Sequence, residues 1–354
     1  MPLPQHLGPR DRPGSPRNGI RRAGVAALIL AWAWMVASAA PAAADAPVPT
    51  DYRSTVTDIT PTSDVVDVSV IGGDAMLRLR VEPGHEVVVK GYNSEPYIRF
   101  AEDGTVSENL NSSATYANTD RYGDVDIPRD LDPNAAPDWK QVADGGSFAW
   151  HDHRIHWMSP QPPPGIPRGN DIQGWTVELL VDDEPVAVQG TLSYESAIAW
   201  WPWMLGVAGI AATVALVGLR RRERAAVVAS IAAAAGGVLA VVVAGSEQRA
   251  IPLAGDRSLV QVAVPVVGIV CAVAAVFLRG RVANAVGLAA ASAVGGWAAL
   301  RFEVFTKPIL PTDLAPGLDR AGTASALGLA LAAAVLLVTA ARPTAAPAAA
   351  PAPA

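Results

Sequence analysis

The hydrophobic pattern divides the chain into two unlike parts. From Asp51 to about Tyr194, apolar and polar residues alternate in short runs punctuated by Gly, Pro and Asp, which is the period of half-buried strands. Residues 65–70 alternate and stop at Gly72-Gly73. Residues 75–81 alternate through Met76, Leu77, Arg78, Leu79 and Arg80 and stop at Pro83-Gly84. Residues 86–90, 97–100, 175–181 and 186–194 give four further runs. No stretch here holds a helical period over three turns, so the pattern predicts an all-β sandwich. The polar segment 109–138, rich in Asn, Asp and Pro, predicts a large surface loop.

After about residue 198 the alternation gives way to unbroken apolar runs at 201–219, 225–245, 259–278, 282–300 and 321–341. Each is close to the roughly 20 residues that cross a bilayer core, which predicts a five-span α-helical transmembrane bundle over residues 198–341. Trp200, Trp201 and Trp203 suit an interfacial belt. Arg220-Arg221-Arg222-Glu223-Arg224 and Arg279-Gly280-Arg281, between spans one and two and spans three and four, belong inside the cell. Residues 1–44 carry Arg10, Arg12, Arg17, Arg21 and Arg22, then an apolar run and Ala42-Ala43-Ala44. This is the layout of a cleaved signal peptide, with an uncleaved anchor as the alternative. Both signals give one topology in the cell membrane. Residues 45–197 and the loops 246–258 and 301–320 lie outside, and the Ala/Pro-rich tail 342–354 lies in the cytoplasm without fixed structure. The spans carry no ionisable side chain near their centres, which reads as an anchor or a protein contact rather than an ion path. Gly236-Gly237 and Gly295-Gly296 suit close helix packing, although an Ala/Gly-rich composition alone would supply them.

Charge sharpens the first part. The whole chain has a formal net charge of −6, but residues 45–197 hold 26 Asp plus Glu against 10 Lys plus Arg. Such a domain repels nucleic acid and anionic lipid and attracts cations or basic partners. The single cysteine, Cys271, lies in a span, so the outer domain has neither a disulfide nor a thiolate ligand.

Three of the five histidines fall within Trp150-His151-Asp152-His153-Arg154-Ile155-His156-Trp157-Met158. Glycines precede the window and prolines follow it, which favours a strand over a helix. On a strand His151 and His153 share a face and can chelate one ion, while His156 joins them only if the chain turns near Ile155. Neutral imidazoles suit Cu(II), Zn or Ni, and the Met158 thioether also accepts Cu(I), so copper fits best and the candidate ligands are His151, His153, His156 and Met158. The competing expectation is a polar brace, with Asp152 paired to Arg154 and the histidines bonded to backbone carbonyls, fixing the fold or a docking surface for another envelope protein. Ser147 and Ser159 flank the window, yet no hydrolase, P-loop or zinc-protease motif is present, which predicts a protein that is not an enzyme. His85 reads as a turn residue. Glu95, Tyr97 and Arg99 read as one face of a strand.

The stretches Gly91-Tyr92, Glu95-Pro96-Tyr97-Ile98-Arg99, the histidine window and Pro308-Ile309-Leu310-Pro311-Thr312 resemble a family of exported actinobacterial membrane proteins that carry a WHDHRxHWM motif. That resemblance implies the same layout and no particular activity. Gly146-Ser147-Phe148-Ala149-Trp150-His151-Asp152-His153 is also locally similar to the copper-binding strand of cupredoxin-fold proteins. It implies a cupredoxin-like sandwich with a copper site simpler than theirs, since the cysteine ligand is missing.

Overall fold

The computed structural model describes residues 47–252 and 257–340. The expected signal peptide and the tail from 342 fall outside them. The first part is a β domain in which every strand pairing is antiparallel. Its strands are β1 (Tyr52–Thr60), β2 (Val66–Ile71), β3 (Met76–Val81), β4 (Val87–Lys90), β5 (Pro96–Phe100), β6 (Val106–Asn109), β7 (Trp139–Ala143), β8 (Ser147–Trp150), β9 (Asn170–Val181) and β10 (Glu184–Tyr194). Seven form one sheet in the order β1-β10-β9-β4-β5-β6-β7, and three form a second in the order β2-β3-β8. Leu77, Leu79 and Phe148 of the small sheet share one buried cluster with Val87, Tyr97, Phe100, Val177 and Leu192 of the large one.

The strongest alternations in sequence become strands at nearly the expected places, because alternate side chains of β3, β9 and β10 reach this common core. Three strands lie outside the expected runs. β1 is polar and mostly exposed, and β6 and β7 are short. Segment 110–138 contains only one short helix, α1 (Ser113–Ala117), yet it does more than cover the surface. Ser112, Ala114, Ala117 and Asn118 are buried, and the residues after them fold over the histidines.

β10 and β9 meet at a close cross-strand pair, Gly190 opposite Trp175. A methyl on Gly190 would overlap the Trp175 indole and come within 2.5 Å of the Thr55 carbonyl oxygen on β1. Over-packing a well-filled core costs about 1–3 kcal/mol, and here backbone blocks the relief. Gly190→Ala is therefore expected to lower the melting temperature by at least several degrees in calorimetry. A melting temperature within a degree of wild type would show that Trp175 is free to move aside.

Among its described residues, the second part contains five helices long and apolar enough to cross a membrane. They are α2 (Trp201–Arg220), α3 (Ala225–Ala250), α4 (Val260–Phe277), α5 (Gly280–Leu300) and α6 (Pro316–Ala340). Small residues allow close contact among them: a methyl on Gly237 would come 2.6 Å from Ile269 Cγ1. Two boundaries differ from the sequence expectation. α3 runs past 245 to Ala250, and α6 begins at Pro316, so Glu247 and Asp319 are helical rather than in loops. The reason is a buried ion cluster in which the Arg301 guanidinium, after α5, contacts Glu247 and lies 2.9 Å from Asp319. With their charges compensated, these polar residues continue the helices instead of ending them.

The β domain contacts the chain between α5 and α6 directly. Thr50 and Ile309 exchange backbone hydrogen bonds of 3.0 and 3.2 Å, and Lys307 Nζ lies 2.7 Å from Asp51. Arg320 holds that connection from the other side by donating to the carbonyls of Val304, Lys307 and Pro308.

Candidate metal centre

The strand expected through the histidine window stops short of it. β8 ends at Trp150, and residues 151–158 form a turn and irregular chain. His151 and His153 therefore do not alternate on a strand face. The cause lies in Asp152 and Ile155. The Asp152 carboxylate accepts the Arg154 amide (3.1 Å), its carbonyl accepts the Ile155 amide (3.1 Å), and fully buried Ile155 locks the turn into the core. This turn at Ile155 is what brings His156 back to the other two.

Each ring is then fixed by a backbone carbonyl. In the β3–β8 register Trp150 faces Leu77, which carries His151 to the head of β3, where its Nδ1 lies 2.5 Å from the Ala75 oxygen. His153 Nε2 lies 2.8 Å from the Asp120 oxygen, and His156 Nε2 lies 2.6 Å from the Arg121 oxygen. A carbonyl only accepts, so each of these nitrogens carries the hydrogen. The opposite nitrogens, His151 Nε2, His153 Nδ1 and His156 Nδ1, keep their lone pairs. Two of them, His151 Nε2 and His156 Nδ1, are buried and without a partner.

The rings converge. His151 and His156 stack with centroids 4.2 Å apart, and His153 stands nearly edge-on to both, at 5.7 and 5.2 Å. One ring nitrogen from each lies within 4.8 Å of the other two. Three ligands at a metal–nitrogen distance of about 2.0 Å sit about 3.4 Å apart, so binding draws the rings together by up to about 1.4 Å. Burial pushes the His151 pKa down to about 4 and that of His156 to about 2, aided by the neighbouring Arg121 charge. Both rings are thus neutral, the form that binds a metal.

Asp152 is not available as a ligand. Its fully buried carboxylate accepts from Arg154 Nε (2.8 Å), Arg154 Nη2 (2.7 Å) and the Trp150 indole (2.9 Å). The bidentate Arg154 and the other donors hold its pKa below the usual carboxylate range despite burial. Arg154 also donates to the Lys90 carbonyl and lies over the Tyr92 ring. Both expectations find support in one window: Asp152 pairs with Arg154 and Trp150 and the three histidines bond backbone carbonyls, as the brace predicts, while the opposite ring nitrogens stay open to a metal.

The lid over the histidines is where sequence reasoning found nothing. Asp120 Oδ1 accepts the amides of Tyr122 and Asp124, and Gly123 takes φ +72°, a turn that aims the carbonyls of residues 120 and 121 at the rings. Arg121 lies 2.5 Å from Asp74, which is fully buried beside Ala75. Gly73, next to Asp74, packs against Ile309 and Thr50, so one short turn joins the histidine site to the contact with the helices. Carbonyl anchors carry no residue-type signature, and only the Asp-x-x-Gly turn could have hinted at them.

Met158 lies at the rim, 40% exposed. Its methyl and His153 Nδ1 each lie 3.8 Å from where a Cβ of Gly123 would stand, so both side chains border Gly123. The stretch from Glu95 to Arg99 serves the same site. Buried Glu95 accepts from Ser112, the N-cap of α1, and Asn118 after α1 joins the Tyr97 hydroxyl to the His153 amide. His85 stays apart, in an exposed contact with Asp182, and Ser159 Oγ bonds the Gln161 amide. No family model, curated protein or solved structure matches this chain, so its function is read from the site itself.

Proposed function

We propose that this is a multi-pass cell-membrane protein whose exported β-sandwich domain binds a copper ion through His151, His153 and His156, with Met158 as a thioether at the rim, and without catalysis. The observation that carries the reading is the pair of buried, unpartnered nitrogens beside a third. Leaving a buried polar atom unpaired costs about 1–3 kcal/mol, and a fold that does so twice in one cluster gains by filling it. Carbonyl partners on the opposite ring nitrogens are what orient metal-ligating imidazoles in proteins generally. The acidic outer domain favours a cation, and imidazole with a nearby thioether favours copper.

Membrane placement is supported by the five apolar helices and by the arginines at 220–224 and 279–281, which suit the cytoplasmic side. The likeness to a cupredoxin strand supports the H-x-H spacing alone, because β8 ends before the histidines.

The test is metal analysis of the detergent-solubilised full chain after copper loading and desalting, wild type beside His151→Ala plus His153→Ala. One copper per wild-type chain and none per folded double variant is the expected result. A wild type that retains no metal, with a lowered melting temperature in the variant, would return the cluster to a purely structural brace. That second reading rests on the hydrogen-bonded Asp152–Arg154–Trp150 network.

A further inference from the structure

We infer that the histidine site selects a monovalent soft ion, Cu(I) or its analogue Ag(I), over Zn(II) and Cu(II). The inference rests on the metal reading above and adds the charge and coordination of the ion. It follows from what surrounds the three free nitrogens.

The first consideration is charge. The convergent group consists of three imidazoles and no carboxylate. The carboxylates around it are engaged elsewhere: Asp152 by Arg154 and Trp150, Asp74 by Arg121, and Asp120, whose charge reaches His151, by the amides of Tyr122 and Asp124. No carboxylate enters the set itself, so an entering ion sheds its hydration against imidazole nitrogens alone. The cost of desolvating an ion grows with the square of its charge, so a divalent ion meets a penalty about four times that of a monovalent one. Zinc and Cu(II) sites usually meet this with a thiolate, a carboxylate or bound water.

Ligand number points the same way. His156 is fully buried and His151 only 5% exposed, so His153 is the most accessible of the three rings. Structural zinc takes four ligands in a tetrahedron, and Cu(II) prefers a tetragonal set. Cu(I), with a filled d shell, is satisfied by two or three. Met158, at the exposed rim beside Gly123 and His153, brings a sulfur, a soft ligand that suits Cu(I) and does little for Zn(II). The deep pair with its edge-on third ring thus offers three nitrogens, with a thioether at the exposed rim beside His153.

The experiment is competitive titration of the full chain in detergent, anaerobic with reductant for Cu(I) and without reductant for Zn(II) and Cu(II). Cu(I) is set against bicinchoninate, and Zn(II) and Cu(II) against chelators of known affinity. One Cu(I) bound roughly a hundredfold or more tighter than Zn(II) and Cu(II) is the expected outcome, with Ag(I) displacing Cu(I) from the same site. Met158→Leu should weaken Cu(I) by about tenfold and leave Zn(II) unchanged. Met158→Asp, at an exposed position, adds an anionic oxygen and should shift the preference toward Zn(II). Zn(II) or Cu(II) binding as tightly as Cu(I) at the histidines would overturn this inference and leave the metal reading standing. Absence of binding by every ion would overturn both.

Discussion

Replacing Asp152 by alanine is expected to be among the most damaging single changes in the β domain, costing about 3–5 kcal/mol. The carboxylate is fully buried and is the acceptor for two guanidinium nitrogens, one indole and one backbone amide. Alanine leaves the largely buried Arg154 without its counter-charge and the Trp150 indole without an acceptor, and an uncompensated buried charge costs more than the pair contributed. It also removes the side-chain bond that shapes the turn presenting the histidines. At about 2–4 °C per kcal/mol for a domain of this size, the melting temperature should fall by roughly 10 °C. Asp152→Asn keeps an acceptor oxygen for the Arg154 amide and should lose less. The pair of variants also separates brace from ligand, because neither removes a histidine nitrogen. A folded Asp152→Asn chain should still bind one metal ion, with reduced affinity from a looser turn. An Asp152→Ala chain melting within two degrees of wild type would show that the network contributes little.

What could be read in the sequence followed the strength of the local pattern. β3, β9 and β10 were legible because their alternate residues enter one core, and the five apolar helices because each stretch is uniformly apolar over its length. β1 was not, because a strand at the sheet edge with most side chains exposed has no apolar alternation to show. The ends of α3 and α6 were misplaced because Glu247 and Asp319 look like loop residues until Arg301, more than fifty positions from Glu247, is seen to neutralise them. At the histidine window the chemistry was visible and the geometry was not. Density of imidazoles marked the place, but strand periodicity was carried one turn too far. Asp152, a good turn former ahead of buried Ile155, was the signal that the strand ends. The lid had no side-chain signature, since Asp120 and Arg121 act through their carbonyls.

Acidification is expected to unfold the β domain earlier than carboxylate titration alone would, and the histidines set the window. His151 and His156 have pKa values of about 4 and about 2 when folded, against about 6.5 in an unfolded chain. Below pH 6.5 the unfolded chain binds protons that the folded chain refuses, so stability is complete above pH 6.5 and is lost as pH falls toward 4. At 1.36 kcal/mol for each pH unit and each group, the two together remove up to about 5 kcal/mol between pH 6.5 and 4.5. Asp152, with its lowered pKa, adds a further loss only below the usual carboxylate range, whereas Asp74, raised by burial, opposes it. The two causes therefore occupy different pH ranges and can be told apart. Thermal melts of metal-free protein from pH 7.5 to 4.5 should show a steep decline for wild type. His156→Gln, which keeps a donor for the Arg121 carbonyl and does not titrate, should decline less than wild type by roughly half the histidine share. Parallel curves would mean that His156 takes up protons freely in the folded state, and so that it is not the dry, neutral ligand described here. Bound Cu(I) should raise the wild-type curve without flattening it, because folded His151 and His156 are already proton-free in this range and the decline comes from proton uptake by the unfolded chain.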